Sequence, residues 1–158
     1  MNTFIAFVAF SATASAIYCF NDIQDIEEDR QHPKKKSRPL VLGNISSNQA
    51  IMFMIILLFI GILLLAKISF QAVVILGIYI LLNIGYSLYL KHIAILDITI
   101  IATGFVLRLL IGSTVTNIPL SKWIVIITFL LAIFLALSKR RDDVLELLNT
   151  GKKLRKVV

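Results

Sequence analysis

Five apolar stretches dominate the sequence and restrict the chain to a membrane fold. Each is close to the ~20 residues that a helix needs to cross the hydrocarbon core of a bilayer. The 158 residues are 58% hydrophobic, whereas soluble domains hold about 45–50% apolar residues. We therefore predict an all-α, polytopic transmembrane helix bundle of about five spans. The predicted spans are residues 3–20, 49–66, 70–90, 95–111 and 122–137.

Basic residues are distributed unevenly between the predicted loops. Lys and Arg outnumber Asp and Glu by 16 to 9, which gives a formal net charge of +7. Most basic residues fall in the loops after the first, third and fifth spans and in a basic tail, residues 138–158. Because basic loops stay on the cytoplasmic side, we predict an integral protein of the cytoplasmic membrane with its N-terminus outside. This rule explains the positive charge without a nucleic-acid partner, and the single Cys19 excludes an intrachain disulfide.

An acidic motif opens the polar loop predicted at residues 21–48. Asp22, Asp25 and Asp29 are spaced i, i+3 and i+7, so that on a helix they share one stripe. Carboxylates that close repel one another unless a cation lies between them, and Mg²⁺ takes oxygen ligands of this kind. We predict that these three aspartates are the metal-binding and catalytic carboxylates.

A basic cluster follows the acidic motif directly. Since Pro33 and Pro39 disfavour a helix around themselves, we predict that the cluster lies in a loop. Its side chains offer charge-assisted hydrogen bonds to phosphate oxygens, so the whole motif predicts a site for a metal-bound diphosphate. The alternative is an ordinary solvated loop of mixed charge. The cluster contains His32, Lys34, Lys35, Lys36 and Arg38.

Two further polar segments lie on the same predicted membrane face. One is the segment 86–92, with Tyr86 and Lys91, and the other is 139–143, with Arg140 and Arg141. The opposite face carries few polar side chains. This convergence of carboxylates, cations and a tyrosine hydroxyl predicts an active site on the cytoplasmic face, with these residues contributing to substrate or phosphate binding.

Asp97 and Arg108 are ionisable residues within the fourth predicted span. They are eleven residues apart, which places them about 16 Å apart on one helix face. Charged groups at such positions are costly and are candidates for substrate or phosphate binding. The alternatives are that Asp97 is an interfacial carboxylate paired with Lys91 and that Arg108 ties its helix to a neighbour.

The polar motifs resemble those of the UbiA-type prenyltransferase superfamily. The resemblance covers N-D-x-x-D-x-x-x-D-R-x-H-P-x-K-x-x-R-P, Y-S-L-Y-L-K-H-x-x-x-L-D, G-F-V-L-R and F-L-A-L-x-K-R-R. The set is most similar to the decaprenyl-phosphate phosphoribosyltransferase branch. The resemblance implies that the three aspartates hold Mg²⁺ and the donor diphosphate, that Asn21 orients them, and that Tyr86 belongs to the site. It also implies that the following cations neutralise phosphate charge: Lys34, Arg38, Lys91, Arg140 and Arg141.

The resemblance implies one of two reactions. In the first, 5-phosphoribose passes from phosphoribosyl diphosphate to a polyprenyl phosphate in the membrane; in the second, a prenyl diphosphate alkylates an aromatic acceptor. The third cytoplasmic loop has Asp142 and Asp143 after its basic residues and no second D-x-x-x-D, which favours the first reaction. A third alternative is an inactive, truncated scaffold whose basic loop sits on anionic lipid.

The number of predicted spans differs from that of the family fold, which has nine. The five spans correspond to about the second through sixth family helices. We therefore expect a fragment, a truncated gene product or half of a split protein, completed by self-association or by a partner that supplies the remaining helices.

Overall fold

A computed structural model describes residues 1–31 and 35–150, and this part of the chain contains helices and no strand. Five of the helices are long and apolar enough to cross a membrane, which confirms the predicted all-α bundle with five spans. Two short 3-10 turns, Lys35–Ser37 and Leu90–His92, lie between helices. The helices are α1 (Asn2–Gln24), α2 (Ile26–Gln31), α3 (Ser47–Ala66), α4 (Phe70–Leu88), α5 (Ala94–Thr116) and α6 (Lys122–Thr150).

Several helices continue beyond the ends of the predicted spans. Helix α1 runs to Gln24 and α2 to Gln31, so the first part of the predicted polar segment 21–48 is helical, as the predicted stripe of aspartates requires. No Gly or Pro occurs between residues 21 and 31, and Glu, Gln and Arg are good helix formers. Helix α6 likewise continues to Thr150, so that Lys139, Arg140 and Arg141 lie within the helix and not after it.

Side-chain caps fix where two of the spanning helices begin. The Ser46 hydroxyl accepts a hydrogen bond from the Gln49 N–H, and the Gln49 side chain accepts one from the Ser46 N–H. This capping box satisfies two backbone donors that the first turn of α3 would leave unpaired. Ser69 caps α4 with a single hydrogen bond, which its hydroxyl accepts from the Ala72 N–H. Both caps place polar groups where the chain re-enters the apolar bundle.

The core lies between α1, α3, α4 and α5. Its most buried apolar side chains include Ala9, Leu65, Ala72 and Leu76, which have no exposed surface. Helix α6 differs from the others because, among the described elements, it contacts only α5. Its outward side chains are large and apolar, as expected for a helix that faces lipid.

Helices α1 and α3 approach each other closely at Gly61. A Cβ atom at this position would overlap the Thr13 hydroxyl and lie 2.8 Å from the Ala9 carbonyl oxygen. Thr13 is fully buried, and its hydroxyl donates to the same Ala9 carbonyl. Since helix association in membranes depends on packing between small residues, this crossing needs glycine.

We expect Gly61→Ala to destabilise the bundle by about 1–3 kcal/mol, because the added methyl overpacks a contact against backbone. The matched control is Gly77→Ala in α4, where a Cβ meets nothing within 4 Å. Thermal unfolding in detergent should show a lower Tm for Gly61→Ala and an equal or higher Tm for Gly77→Ala. Equal Tm values for the two variants would show that the crossing is not tightly packed.

Candidate functional site

The acidic motif spans the junction between α1 and α2. Asp22 lies in the last turn of α1, Asp25 ends that helix, and Asp29 lies in α2. The Asp25 backbone (φ −96°, ψ 6°) interrupts the helix, yet its carbonyl still accepts the Asp29 N–H at 2.8 Å. The predicted stripe of carboxylates is therefore divided between two consecutive helices that stay close together.

Arg38 joins two of the three carboxylates. Its Nη1 atom donates to Asp22 Oδ1 and to Asp29 Oδ2, each at 2.6 Å. Lys35 Nζ lies 3.2 Å from the other Asp29 oxygen, and the Asp29 side chain is 2% exposed. The loop after α2 thus folds back over the motif and neutralises its buried carboxylate.

Lys91 neutralises the third carboxylate from a distant part of the chain. It lies in the 3-10 turn that follows α4, and its Nζ atom is 2.6 Å from Asp25 Oδ1. The alternative pairing of Lys91 with Asp97, considered from the sequence, is wrong. The first and second polar segments therefore meet at one end of the bundle, as the charge distribution predicted.

Asp97 forms a buried tie between α4, α5 and α6. It has no exposed surface, accepts a hydrogen bond from the Tyr86 hydroxyl at 2.7 Å, and forms an ion pair with Arg140. The Arg140 side chain is about one-fifth exposed. Since Asp97 holds both groups, the third polar segment is attached to the bundle through Arg140.

We expect Asp97→Ala to destabilise the bundle by about 3 kcal/mol, because it removes the buried carboxylate that pairs with the largely buried Arg140 guanidinium. The control is Asp142→Ala, which removes an exposed carboxylate near the same end of α6. Thermal unfolding in detergent measures both. The double variant Asp97→Leu, Arg140→Met removes both charges. If it is as unstable as Asp97→Ala alone, the broken ion pair is not the cause of the destabilisation.

Three other predicted site residues have different surroundings. The Asn21 Oδ1 atom is buried and has no hydrogen-bond partner within the described residues. Arg141 is exposed and forms no ion pair with a described residue. Lys34 lies outside the described residues. The structure therefore places Asn21 beside the motif without showing what its amide oxygen binds.

Arg108 lies away from these ion pairs, at the wall of a cavity of about 400 Å³ between α1 and α5. Its guanidinium carbon is 5.3 Å from the centre of the Phe10 ring and 4.8 Å from that of the Phe105 ring. Its Nη2 atom is 3.5 Å from the Tyr79 hydroxyl, which marks a weak hydrogen bond. These contacts connect α5 to α1 and α4, as in the alternative considered from the sequence.

The motif carboxylates have the chemistry that Mg²⁺ requires, because it binds carboxylate oxygens together with phosphates and water. In residues 1–31 and 35–150, no three acidic, histidine or cysteine side chains form a group that could hold a metal by themselves. Arg38 and Lys91 lie against the carboxylates instead. The Arg38 nitrogen between Asp22 and Asp29 shows that the space between them favours positive charge, so the donor set fits the ion.

Lys35 and Tyr79 contribute contacts that the sequence alone did not single out. Lys35 was one of several adjacent cations, and no spacing rule distinguishes which of them returns to Asp29. Tyr79 precedes Tyr86 by seven residues, which places both on one face of α4. Since Tyr86 was predicted at the site, this spacing could have identified Tyr79 as a second hydroxyl on the same side of α4. The structure places that hydroxyl near Arg108.

Comparison with known proteins identifies the family. The model of the UbiA prenyltransferase family matches residues 1–147. The chain belongs to this family. The superfamily prediction is thereby confirmed, as is the prediction of an integral membrane protein, while the side of the membrane that the site faces stays a prediction.

The UbiA-family chain is similar to two curated enzymes named decaprenyl-phosphate phosphoribosyltransferase. It is 38% identical to that of Corynebacterium glutamicum over 154 residues, which cover 96% of this chain and 46% of the relative. It is 34% identical to that of Mycolicibacterium smegmatis over 152 residues, covering 96% of this chain and 48% of the relative. The chain thus spans about half the length of the curated relatives it matches.

The fold of this UbiA-family chain also matches a solved structure. That structure is a UbiA homolog from Archaeoglobus fulgidus bound to DMAPP and Mg²⁺, with a TM-score of 0.75 and 21% sequence identity. The match covers 84% of this chain and 49% of the other. At this level of identity the likeness shows that the two share a fold.

Proposed function

We propose that the chain provides the donor-binding part of a Mg²⁺-dependent UbiA-family transferase that moves 5-phosphoribose from phosphoribosyl diphosphate to a polyprenyl phosphate. The observation that carries this proposal is the pairing of all three motif carboxylates with basic side chains from two separate segments. This arrangement offers oxygen ligands for a metal and donors for a diphosphate in one place. The relatives named decaprenyl-phosphate phosphoribosyltransferase support the choice of donor and acceptor.

In this proposal Asp22, Asp25 and Asp29 hold Mg²⁺, which when bound neutralises charge on the diphosphate. Lys35, Arg38 and Lys91 donate to the diphosphate oxygens, and their positive charge stabilises pyrophosphate as it leaves. Asn21 orients the motif, and Lys34 and Arg141 add charge for the phosphates at the edge of the site. The bond from C1 of the ribose to the pyrophosphate oxygen breaks, and a phosphate oxygen of the lipid bonds to C1.

The buried tie gives three predicted site residues a positioning role in this proposal. Tyr86, Asp97 and Arg140 bind one another, so we assign them to holding α4, α5 and α6 together at the site. The contacts with the diphosphate are then made by Lys35, Arg38 and Lys91, which exchange their carboxylate partners for phosphate oxygens. The site faces the cytoplasm in this proposal, where a soluble phosphorylated donor is available, and the polyprenyl acceptor arrives from the bilayer.

A second candidate function is transfer of a prenyl group from prenyl diphosphate to an aromatic acceptor. The observation that favours it is the mostly apolar wall of the cavity between α1 and α5, which suits a prenyl chain. The DMAPP bound to the Archaeoglobus fulgidus homolog is a donor of this class. An inactive scaffold, the third alternative, requires neither donor to bind specifically.

Isothermal titration in detergent distinguishes these functions. Phosphoribosyl diphosphate and geranyl diphosphate are titrated separately into the chain, with Mg²⁺ and with EDTA. We expect Mg²⁺-dependent binding of phosphoribosyl diphosphate that is tighter than binding of geranyl diphosphate. The reverse order would favour prenyl transfer, and no Mg²⁺-dependent binding of either donor would contradict both transferase functions for this chain.

A further inference from the structure

The cavity between α1 and α5 contains one charged group in apolar surroundings. Its walls include Phe7, Phe10, Ile111 and Val115, and Arg108 is the only charged residue that lines it among the described residues. Arg108 is exposed, although it lies in a helix that is long and apolar enough to span a membrane. A charge at such a depth is costly unless it has a partner or lines a wet cavity.

The surroundings of Arg108 hold the group in place without neutralising it. Phe10 and Phe105 both approach its guanidinium within cation–π distance. Its hydrogen bond to the Tyr79 hydroxyl is long at 3.5 Å, and no carboxylate in residues 1–31 or 35–150 forms an ion pair with it. A guanidinium has five N–H donors, so most of them remain available to an anion in the cavity.

The cavity leads from Arg108 towards the acidic motif. On α1 its wall includes Ser11, Ala14 and Tyr18, and the same helix face continues four residues later at Asp22. Arg108 lies against Phe10, which precedes Asp22 by twelve residues, or about 18 Å along the axis of α1. A donor whose diphosphate lies with a metal ion at the motif, and whose other end extends along the cavity, would approach Arg108 from this side.

We propose that Arg108 binds the 5-phosphate of phosphoribosyl diphosphate and so selects a donor with anionic groups at both ends. This inference rests on the proposed function, since it requires the diphosphate to bind at the acidic motif. The two rings hold the guanidinium so that its donors can meet phosphate oxygens, the geometry for which Arg is suited. The hydroxyls of Ser11 and Tyr18 line the space between the two anionic ends.

The same charge disfavours a prenyl diphosphate. A prenyl tail along this path would place hydrocarbon against Arg108 and remove water from the guanidinium without supplying a hydrogen-bond acceptor. Burial of a charge in that way is unfavourable. Arg108 therefore distinguishes the two candidate donors through what lies at the far end of each molecule.

The test is isothermal titration in detergent with Mg²⁺, using phosphoribosyl diphosphate, inorganic pyrophosphate and geranyl diphosphate. We expect Arg108→Gln to weaken binding of phosphoribosyl diphosphate by at least about tenfold and to leave pyrophosphate binding unchanged. Binding of geranyl diphosphate should be equal or tighter. Arg108→Lys should recover part of the loss, and Lys67→Gln, which removes a charge from the loop before α4, should change nothing.

The pyrophosphate titration shows whether a variant still folds and keeps its motif. If Arg108→Gln weakens phosphoribosyl diphosphate and pyrophosphate equally, or weakens neither, the inference is wrong while the proposed function stands. If Arg108→Gln binds neither ligand at all, the same comparison is made with Arg108→Lys. A larger loss for phosphoribosyl diphosphate than for pyrophosphate in that variant supports the inference, and equal losses contradict it. Failure of the unaltered chain to bind pyrophosphate with Mg²⁺ would overturn both the inference and the proposed function.

Discussion

Replacing Asp25 with asparagine is expected to reduce Mg²⁺-dependent binding of phosphoribosyl diphosphate by about a hundredfold or more, which corresponds to about 2.7 kcal/mol or more. Asp25 is the carboxylate at the junction of α1 and α2, and among the described residues its carboxylate pairs with Lys91 alone, at 2.6 Å. Without its charge, the metal loses a ligand, and Lys91 loses the group that holds it at the site. Titration of the donor with and without Mg²⁺ measures the loss.

The control for Asp25→Asn is Glu27→Gln. Glu27 lies two residues further along the chain and is largely exposed, with its carboxylate paired to Arg30. Glu27→Gln therefore removes the same charge as Asp25→Asn, but from a residue outside the predicted stripe of aspartates. Equal losses in the two variants would mean that donor binding follows the total charge of the segment, as the scaffold alternative requires.

Replacing Arg38 with glutamine is expected to change the binding of the metal and of the donor in opposite directions. Arg38 now donates to Asp22 and Asp29 from one nitrogen. Its removal leaves two neighbouring carboxylates without their shared cation, so that Mg²⁺ alone should bind several-fold more tightly. Donor binding in the presence of Mg²⁺ should weaken by at least about tenfold, because a charge-assisted bond to phosphate is lost.

Arg30→Gln is the matched control for Arg38→Gln, because Arg30 pairs with the exposed Glu27 and such surface pairs contribute little. Titration of Mg²⁺ alone and of the donor at saturating Mg²⁺ separates the two effects. A loss of both affinities in Arg38→Gln would indicate that Arg38 maintains the fold of the loop and does not contact the donor.

The sequence predicted the number of spanning helices and the meeting of polar segments at one end, because both follow from hydropathy and loop charge. It did not predict which charges pair. Lys91 binds Asp25 across 66 positions of sequence, whereas Asp97, only six residues from Lys91, binds Arg140 instead. Such choices depend on the relative rotation of packed helices, about which a single sequence contains little information.

Helix ends were also predicted incompletely. Hydropathy shows where a helix leaves the hydrocarbon, whereas a helix ends only where its backbone hydrogen bonds stop. The acidic motif therefore lies on helices although it is polar and falls outside the hydrophobic spans. The cap at Ser46 was predictable because its signal, a Ser followed three residues later by Gln49, is local.

The equal number of acidic and basic side chains at the motif has a consequence for how ligands enter. Asp22, Asp25 and Asp29 carry three negative charges, and Lys35, Arg38 and Lys91 carry three positive ones. A metal ion that binds alone must displace the basic side chains from the aspartates, which leaves positive charges without partners. A diphosphate that binds alone must displace the aspartates from the basic side chains, which leaves negative charges without partners. When both bind, every group finds a new counter-charge, and each ligand must raise the affinity for the other by the same factor. In the proposed function, the resting pairs therefore favour simultaneous occupancy by metal and donor over occupancy by either alone.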